Sequence, residues 1–151
     1  MPSVSFVRRV PVLAALGLGF AGIAAAQTAP LELRYGPEQT VFGSCRPALT
    51  LTNRSQRSLD YVQVDVSYRL KDGSEKRAEH KSRYRHGLDN PVQPGERRAL
   101  VIHHDESTPM GAPCADIVAA RIVAAECNGG TAAPCTLLAP RIGETLELPR
   151  R

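Results

Sequence analysis

The chain has 151 residues, with 12 glycines, 12 prolines, 4 cysteines, no tryptophan, and 19 Lys and Arg against 15 Asp and Glu. This length accommodates one ordinary domain and is too short for a two-domain enzyme. A charged fraction of 23% and an apolar fraction of 42% are typical of a globular chain and exclude a disordered or collagen-like one.

Residues 1–26 have the pattern of a secretory signal peptide. Arg8 and Arg9 form a basic start, and the stretch 10–26 is uncharged, apolar and ends in three alanines. A membrane anchor is the alternative, but the apolar run is short for a span. The arginine pair also allows a twin-arginine signal, although its neighbours favour ordinary secretion. We therefore predict cleavage after Ala26 and a location in the periplasm or outside the cell.

The mature chain, residues 27–151, is expected to be a single soluble domain. It keeps 17 basic and 15 acidic residues, a net charge of +2, because the predicted signal contains two arginines and no acidic residue. A charge so close to balance argues against a nucleic-acid-binding protein. No apolar stretch of the mature sequence is long enough to cross a bilayer.

All four cysteines follow the predicted cleavage site: Cys45, Cys114, Cys127 and Cys135. An even number of cysteines in an oxidising compartment predicts two disulfides, for which three pairings are possible. Zinc is the alternative, but no two of these cysteines have the C-x₂₋₄-C spacing of zinc sites.

Short apolar alternations separated by turn residues predict strands along the mature chain. The clearest is Leu59–Leu70, where every second residue from Val62 is apolar and the Asp72-Gly73 hairpin turn follows. The other predicted strands are Leu31–Tyr35, Thr40–Phe42, Pro47–Asn53, Glu75–His86, Arg97–His104, Asp116–Cys127, Leu137-Leu138 and Thr145–Leu148.

The segment 115–127 has an ambiguous pattern. Its alanines favour a helix, in which Ile117, Arg121 and Ala125 would share one face. Four residues also alternate at the period of a strand: Val118, Ala120, Ile122 and Ala124. Because the neighbouring segments are strands, we predict a strand here as well.

About seven short strands with regular turn signals predict an all-β, immunoglobulin-like β-sandwich. In that topology the strand after Cys45 runs antiparallel to 97–104, which brings Cys45 close to Cys114. Cys127 and Cys135 flank a glycine-rich turn region. We therefore predict Cys45–Cys114 and Cys127–Cys135 disulfides, which would stabilise a core that contains few aromatic residues.

Three motifs between residues 49 and 101 occur in the order expected for one type of sandwich. They are Leu51-Thr52-Asn53, the alternation Val62–Tyr68 leading into Asp72-Gly73, and Pro94-Gly95-Glu96 before Leu100-Val101-Ile102. They resemble the N-x-S loop, central strand and PG turn of the FxLYD-like immunoglobulin-like domains of exported bacterial proteins. The F-x-L-Y-D signature is missing. The resemblance implies a sandwich that serves as a binding or accessory module.

A metal site is one hypothesis for the histidine-rich segment. His103 and His104 stand beside two acidic residues, and Met110 follows, so imidazole, carboxylate and thioether groups are available to a transition metal. Adjacent strand residues point to opposite faces, so the two histidines reach one ion only if the strand has ended. The alternative is that these histidines and acidic residues are exposed polar residues at the start of a loop. His80 and His86 are expected to be solvated.

Positive charge is concentrated between residues 69 and 85. In an extended strand Arg77, Lys81, Arg83 and Arg85 share one face, which we call the basic segment. It is either a contact surface for an anionic lipid, polysaccharide or protein, or an edge strand whose charges prevent edge-to-edge association.

The chain contains no G-x-S-x-G, H-E-x-x-H or C-x-x-C motif and no glycine-rich phosphate loop. We therefore predict a non-enzymatic, exported binding or accessory protein without a cofactor. It would contact a protein or an anionic envelope component through the basic segment and the loops 87–95 and 105–115. The first alternative is a periplasmic metal-binding protein that uses His103, His104 and Met110. The second is a small hydrolase, for which the sequence contains no supporting residue.

Overall fold

The computed structural model describes residues 31–82, 90–102, 110–127 and 138–150. The predicted signal peptide lies outside these residues, as do Arg83, Arg85, His86, His103, His104 and Cys135. Within the described ranges, no helix has the length and apolar character needed to cross a membrane.

The described residues form short strands and one helical turn, which confirms the all-β prediction. The strands are β1 Leu31–Tyr35, β2 Gln39–Val41, β3 Ser44–Arg46, β4 Leu49–Asn53, β5 Val62–Leu70, β6 Glu75–Lys81, β7 Arg97–Ile102, β8 Ile117–Cys127 and β9 Leu138–Ala139. The turn is a 3₁₀ helix at Cys114–Asp116. The sequence analysis did not predict β3, which pairs with β2 in a separate hairpin.

Seven strands are hydrogen-bonded in the order β8-β5-β6-β7-β4-β1-β9, and the sheet folds over between β6 and β7. These two strands share only the pairs His80–Ile102 and Lys81–Val101. Across the fold, Tyr35 of β1 meets Tyr68 of β5 edge to face, with ring centroids 6.3 Å apart. The two layers of the β-sandwich are therefore β8-β5-β6 and β7-β4-β1-β9.

The strand pairings follow immunoglobulin topology. The order β1-β4-β7 corresponds to strands A, B and E, and the antiparallel pair β5-β8 corresponds to C and F. Residues 143–146 run beside β8 in the position of strand G, with backbone hydrogen bonds to Ala120 and Ile122. Just before them, β9 pairs in parallel with β1. The segment 138–146 therefore borders both layers.

An aliphatic core fills the space between the layers. The alternation predicted for β5 is confirmed, because Val62, Val64, Val66, Tyr68 and Leu70 are all buried. The opposite layer contributes Leu31, Leu33, Leu49, Leu51 and Leu100. Each such valine or leucine stabilises the fold by about 1.5–3 kcal/mol when its side chain is fully removed from water.

Strand β8 confirms the prediction of a strand over a helix, but two bulges change which residues face the core. Its register against β5 shifts twice, which leaves Val118 and Val123 without a directly opposed residue. A bulge inserts one extra residue and so reverses the facing of those that follow. The buried residues are Ile117, Ala120, Ile122, Ala125 and Cys127. The predicted alternation of Val118, Ala120, Ile122 and Ala124 on one face is therefore wrong at its two ends, because Val118 and Ala124 are exposed.

Candidate functional site

The predicted Cys45–Cys114 disulfide is present and joins β3 to the 3₁₀ turn. Cys45 is completely buried, so the bridge fixes the small hairpin to the body of the sandwich. Cys127 is also disulfide-bonded. Its predicted partner, Cys135, lies outside the described residues, and that pairing stays a prediction.

The described residues give the metal hypothesis no support. Met110 is only 7% exposed and belongs to the hydrophobic core. The carboxylate of Glu38 lies near the sulfurs of Cys45 and Cys114, but sulfur binds metals as a thiolate, and these sulfurs are joined in a disulfide. His103 and His104 lie outside the described residues, so their role stays a hypothesis.

The basic segment is partly neutralised where the structure describes it. Arg77 is exposed on β6, but the ammonium group of Lys81 lies 2.6 Å from the carboxylate of Glu79, and the Lys81 side chain is 17% exposed. The edge-strand interpretation stays open for Glu75–Glu79, because β6 pairs with β7 only at His80–Ile102 and Lys81–Val101. Arg83 and Arg85 lie outside the described residues.

The outer face of the layer β8-β5-β6 has balanced charge. Its register produces four rows of side chains: Glu126-Gln63-Lys81, Ala124-Asp65-Glu79, Arg121-Ser67-Arg77 and Ala119-Arg69-Glu75. Four basic side chains in these rows stand against four acidic ones. This face therefore offers no net attraction to an anionic partner.

The outer face of the other layer carries excess positive charge. The register across β1-β4-β7 aligns Glu32-Thr52-Arg97 and, one row further, Arg34-Thr50-Ala99. Arg54 follows β4 directly and approaches the same carboxylate as Arg34. We call Arg34, Arg54 and Arg97 the arginine face, and the carboxylate of Glu32 is the acidic group in these rows.

The Glu32 carboxylate holds two members of the arginine face in place, Arg34 and Arg54. The Nε atom of Arg34 donates to one carboxylate oxygen at 2.6 Å, and the Nε atom of Arg54 donates to the other at 2.8 Å. Hydrogen bonds from Arg34 and then from Arg54 lower the pKa of Glu32, which keeps this carboxyl ionised. The two arginine side chains are still 67% and 57% exposed, so their outer N–H groups remain accessible to a ligand. Arg97 is exposed and has no ion-pair partner among the residues of the described ranges.

Two clefts, which share Arg34, Tyr35 and Pro149 in their walls, lie beside this face. The arginine cleft, about 490 Å³, is lined by Arg34, Thr50 and Arg97 together with residues 35–38 and Pro149. The second cleft, about 700 Å³, lies between β1 and the segment 145–150, and its polar lining consists of Glu32, Arg34, Thr145, Glu147 and Arg150. Its apolar lining consists of Leu33, Tyr35, Ala139, Pro140, Leu146, Leu148 and Pro149. Volumes of this size are typical of sites for small ligands or for a few inserted side chains.

His80 and Tyr68 form a buried polar pair, which corrects the prediction of a solvated His80. His80 faces inward from β6 and is completely buried, with its Nε2 atom 2.7 Å from the Tyr68 hydroxyl oxygen. Burial lowers the pKa of His80 from 6.5 to about 3 and raises the pKa of Tyr68 well above its usual value. Neither residue lines either cleft. The pair is therefore placed for a structural role.

Sequence reasoning missed the arginine face because its members are far apart in the chain. Arg34, Arg54 and Arg97 become neighbours only through the register of three strands. Comparison of the chain with protein-family models, with curated proteins and with solved structures gives no match. The resemblance to FxLYD-like domains therefore stays a prediction, and the functional argument rests on the geometry described above.

Proposed function

We propose that this protein is an exported, non-enzymatic binding protein that holds an acidic polysaccharide of the cell envelope on its arginine face. The observation that carries the proposal is the unequal distribution of charge between the two layers. The three guanidinium groups of the arginine face stand against the carboxylates of Glu32 and, in the arginine cleft, Glu38, whereas the four basic and four acidic side chains in the rows of the opposite face cancel. Guanidinium groups bind carboxylates with paired hydrogen bonds as well as by charge.

The spacing of the arginines favours a linear polymer over a single small anion. Arg34 and Arg97 lie on strands separated by β4, so their backbones are about 10 Å apart. Repeating carboxylates along a sugar chain would engage several guanidiniums together. The neighbouring side chains on this face are Thr50, Thr52 and Ala99, which offer no large apolar group for insertion into a lipid layer.

The state of the titratable groups supports binding without catalysis. His80 is buried away from both clefts. In the clefts, the Glu32 carboxylate is held by two guanidiniums, and the Glu38 carboxylate accepts a hydrogen bond from the Tyr35 hydroxyl. The basic segment remains a proposed second contact through Arg77, Lys81, Arg83 and Arg85.

The test is titration calorimetry of the exported protein with polygalacturonate, a linear polymer of carboxylated sugars. We expect binding that weakens as salt is added, because exposed charges are screened. Arg97→Glu should weaken the binding by about tenfold, which corresponds to about 1.4 kcal/mol. The matched control is Arg121→Glu, which makes the same charge change on the opposite face and should have little effect.

A third variant, Arg77→Glu, distinguishes the two faces. A loss confined to Arg77→Glu would assign the contact to the basic segment and overturn the arginine face. Equal losses in all three variants would show that only net charge matters. Absence of binding to the polymer at low salt would contradict the proposed function itself.

A further inference from the structure

The second cleft and the arginine cleft are adjacent along β1. Arg34, Tyr35 and Pro149 line both of them, so a ligand chain that contacts these three residues borders both clefts at once. Their volumes of about 490 Å³ and 700 Å³ lie within the range of sites for small organic ligands. Adjacent clefts of this size suit consecutive units of one polymer.

The two clefts differ in net charge. In the arginine cleft Arg34 and Arg97 stand against Glu38, which leaves an excess of positive charge. In the second cleft the charges of two acidic and two basic side chains cancel. They are Glu32, Glu147, Arg34 and Arg150. The second cleft therefore gives a carboxylated sugar no net electrostatic advantage over an uncharged one.

The second cleft offers a hydrogen-bond acceptor and donors that nothing nearby occupies. Glu147 and Arg150 are exposed, and neither has a hydrogen-bond or ion-pair partner among the residues that the structure describes. An ionised carboxylate only accepts hydrogen bonds and a guanidinium only donates them, whereas a sugar hydroxyl does both. Hydroxyl groups can therefore bond to either side chain, but a second carboxylate beside Glu147 would meet a like charge.

Apolar side chains form the rest of the lining. Tyr35 and Leu148 are partly buried against the core. The Tyr35 ring is held by its edge-to-face contact with Tyr68 and by the hydrogen bond from its hydroxyl to Glu38, so this wall binds a ligand with little loss of conformational entropy. A sugar ring carries C–H groups on its faces and hydroxyls around its edge. A cleft that combines apolar walls with donors and acceptors matches both.

We propose that the second cleft binds an uncharged sugar of the same polymer whose carboxylated sugar lies in the arginine cleft. This inference rests on the proposed function and narrows the substrate class to an acidic heteropolysaccharide, in which charged and uncharged sugars alternate. Arg34 borders both units, because its side chain lines both clefts. A polymer of carboxylated sugars alone would place a carboxylate beside Glu147, where like charges repel.

Titration calorimetry of the exported protein with two linear polymers tests this inference. Polygalacturonate carries a carboxylate on every sugar, whereas hyaluronate alternates a carboxylated sugar with an uncharged, N-acetylated one. At equal carboxylate concentration and equal salt, we expect hyaluronate to bind about tenfold more tightly, which corresponds to about 1.4 kcal/mol. The readout is the ratio of the two dissociation constants.

Two variants of the second cleft locate the preference. Glu147→Gln keeps the shape of the side chain but no longer repels a carboxylate, so polygalacturonate should bind more tightly and the ratio should fall. Thr145→Phe fills the cleft from an exposed position that does not line the arginine cleft, and it should remove the preference by weakening hyaluronate. The matched control is Glu126→Gln, which makes the same charge change as Glu147→Gln on the opposite layer and should leave the ratio unchanged.

The outcomes separate this inference from the proposed function. Equal affinity for the two polymers, tighter binding of polygalacturonate, or a preference that survives both cleft variants would overturn the inference. The proposed function would then still stand if Arg97→Glu weakens the binding of polygalacturonate. Failure of both polymers to bind at low salt would contradict the proposed function, and this inference with it.

Discussion

Replacing His80 should remove a specific part of the acid sensitivity of this protein. The imidazole is completely buried, and its Nδ1 atom has no hydrogen-bond partner among the described residues. A protonated imidazole in this position would be a charge in the core without a compensating carboxylate among the residues that the structure describes. In the variant His80→Gln the amide can still hydrogen-bond to the Tyr68 hydroxyl, but it does not titrate.

The sign and size of the effect follow from the two pKa values of His80. The pKa is about 3 in the folded protein and 6.5 in the unfolded chain, so below 6.5 the unfolded chain binds more protons. The part of the folding stability that depends on a neutral His80 is therefore fully present above pH 6.5 and is lost as the pH falls towards 3. The linkage relation gives a loss of about 2 kcal/mol at pH 5 and about 3 kcal/mol at pH 4.

Urea unfolding followed by circular dichroism between about pH 7.5 and pH 4 measures this loss directly. The wild-type free energy of unfolding should fall more steeply than that of His80→Gln, and the difference between the two curves isolates the imidazole. Tyr68→Phe is the matched control, because it removes the hydroxyl partner but keeps the buried imidazole, and its curve should stay steep. Parallel curves for wild type and His80→Gln would refute the reasoning.

Two further predictions concern β8 and the hairpin tip. If the bulges set the facing of β8, Ala124→Lys, which places an ammonium group opposite Asp65, should change stability by less than about 0.5 kcal/mol. Ala125→Lys places the same group in the core and should cost at least about 3 kcal/mol. Equal effects in urea unfolding would contradict the register. Phe42, in the turn of the hairpin β2-β3, has a φ of 50°. Phe42→Asn should raise the free energy of unfolding by about 1 kcal/mol, because asparagine adopts positive φ more readily. A lower melting temperature in dilute solution would argue against strain at this turn.

Local sequence patterns were sufficient to predict the structure where a strand is regular and the strand it pairs with is close in sequence. The alternation in β5 and the Asp72-Gly73 turn predicted a hairpin that the structure confirms. In β8 the buried residues are spaced alternately by three and two positions, which resembles neither a regular strand nor a clean helix. That spacing depends on the register against β5, and no single segment contains this information.

Sequence patterns did not predict the placement of His80 and Phe42 for related reasons. His80 stands in a segment rich in basic residues, where composition suggests exposure, but the strand period turns it inward opposite Val64. Phe42 was predicted to extend a strand, because an apolar residue after Thr40 and Val41 fits that pattern. Its positive φ reflects a two-residue turn closed by the Val41–Ser44 pair, and the disulfide of the next residue, Cys45, anchors the hairpin from outside the segment.

The position of 138–146 has a consequence for biosynthesis. A polypeptide is made with its earlier residues first, so β1 and β8 exist before the segment that later runs beside them. Until that segment arrives, each of these strands displays unused backbone N–H and C=O groups to other nascent molecules. The interval before this segment is made is therefore when the earlier strands most need protection by a chaperone, and deletion of residues 138–150 should yield insoluble material.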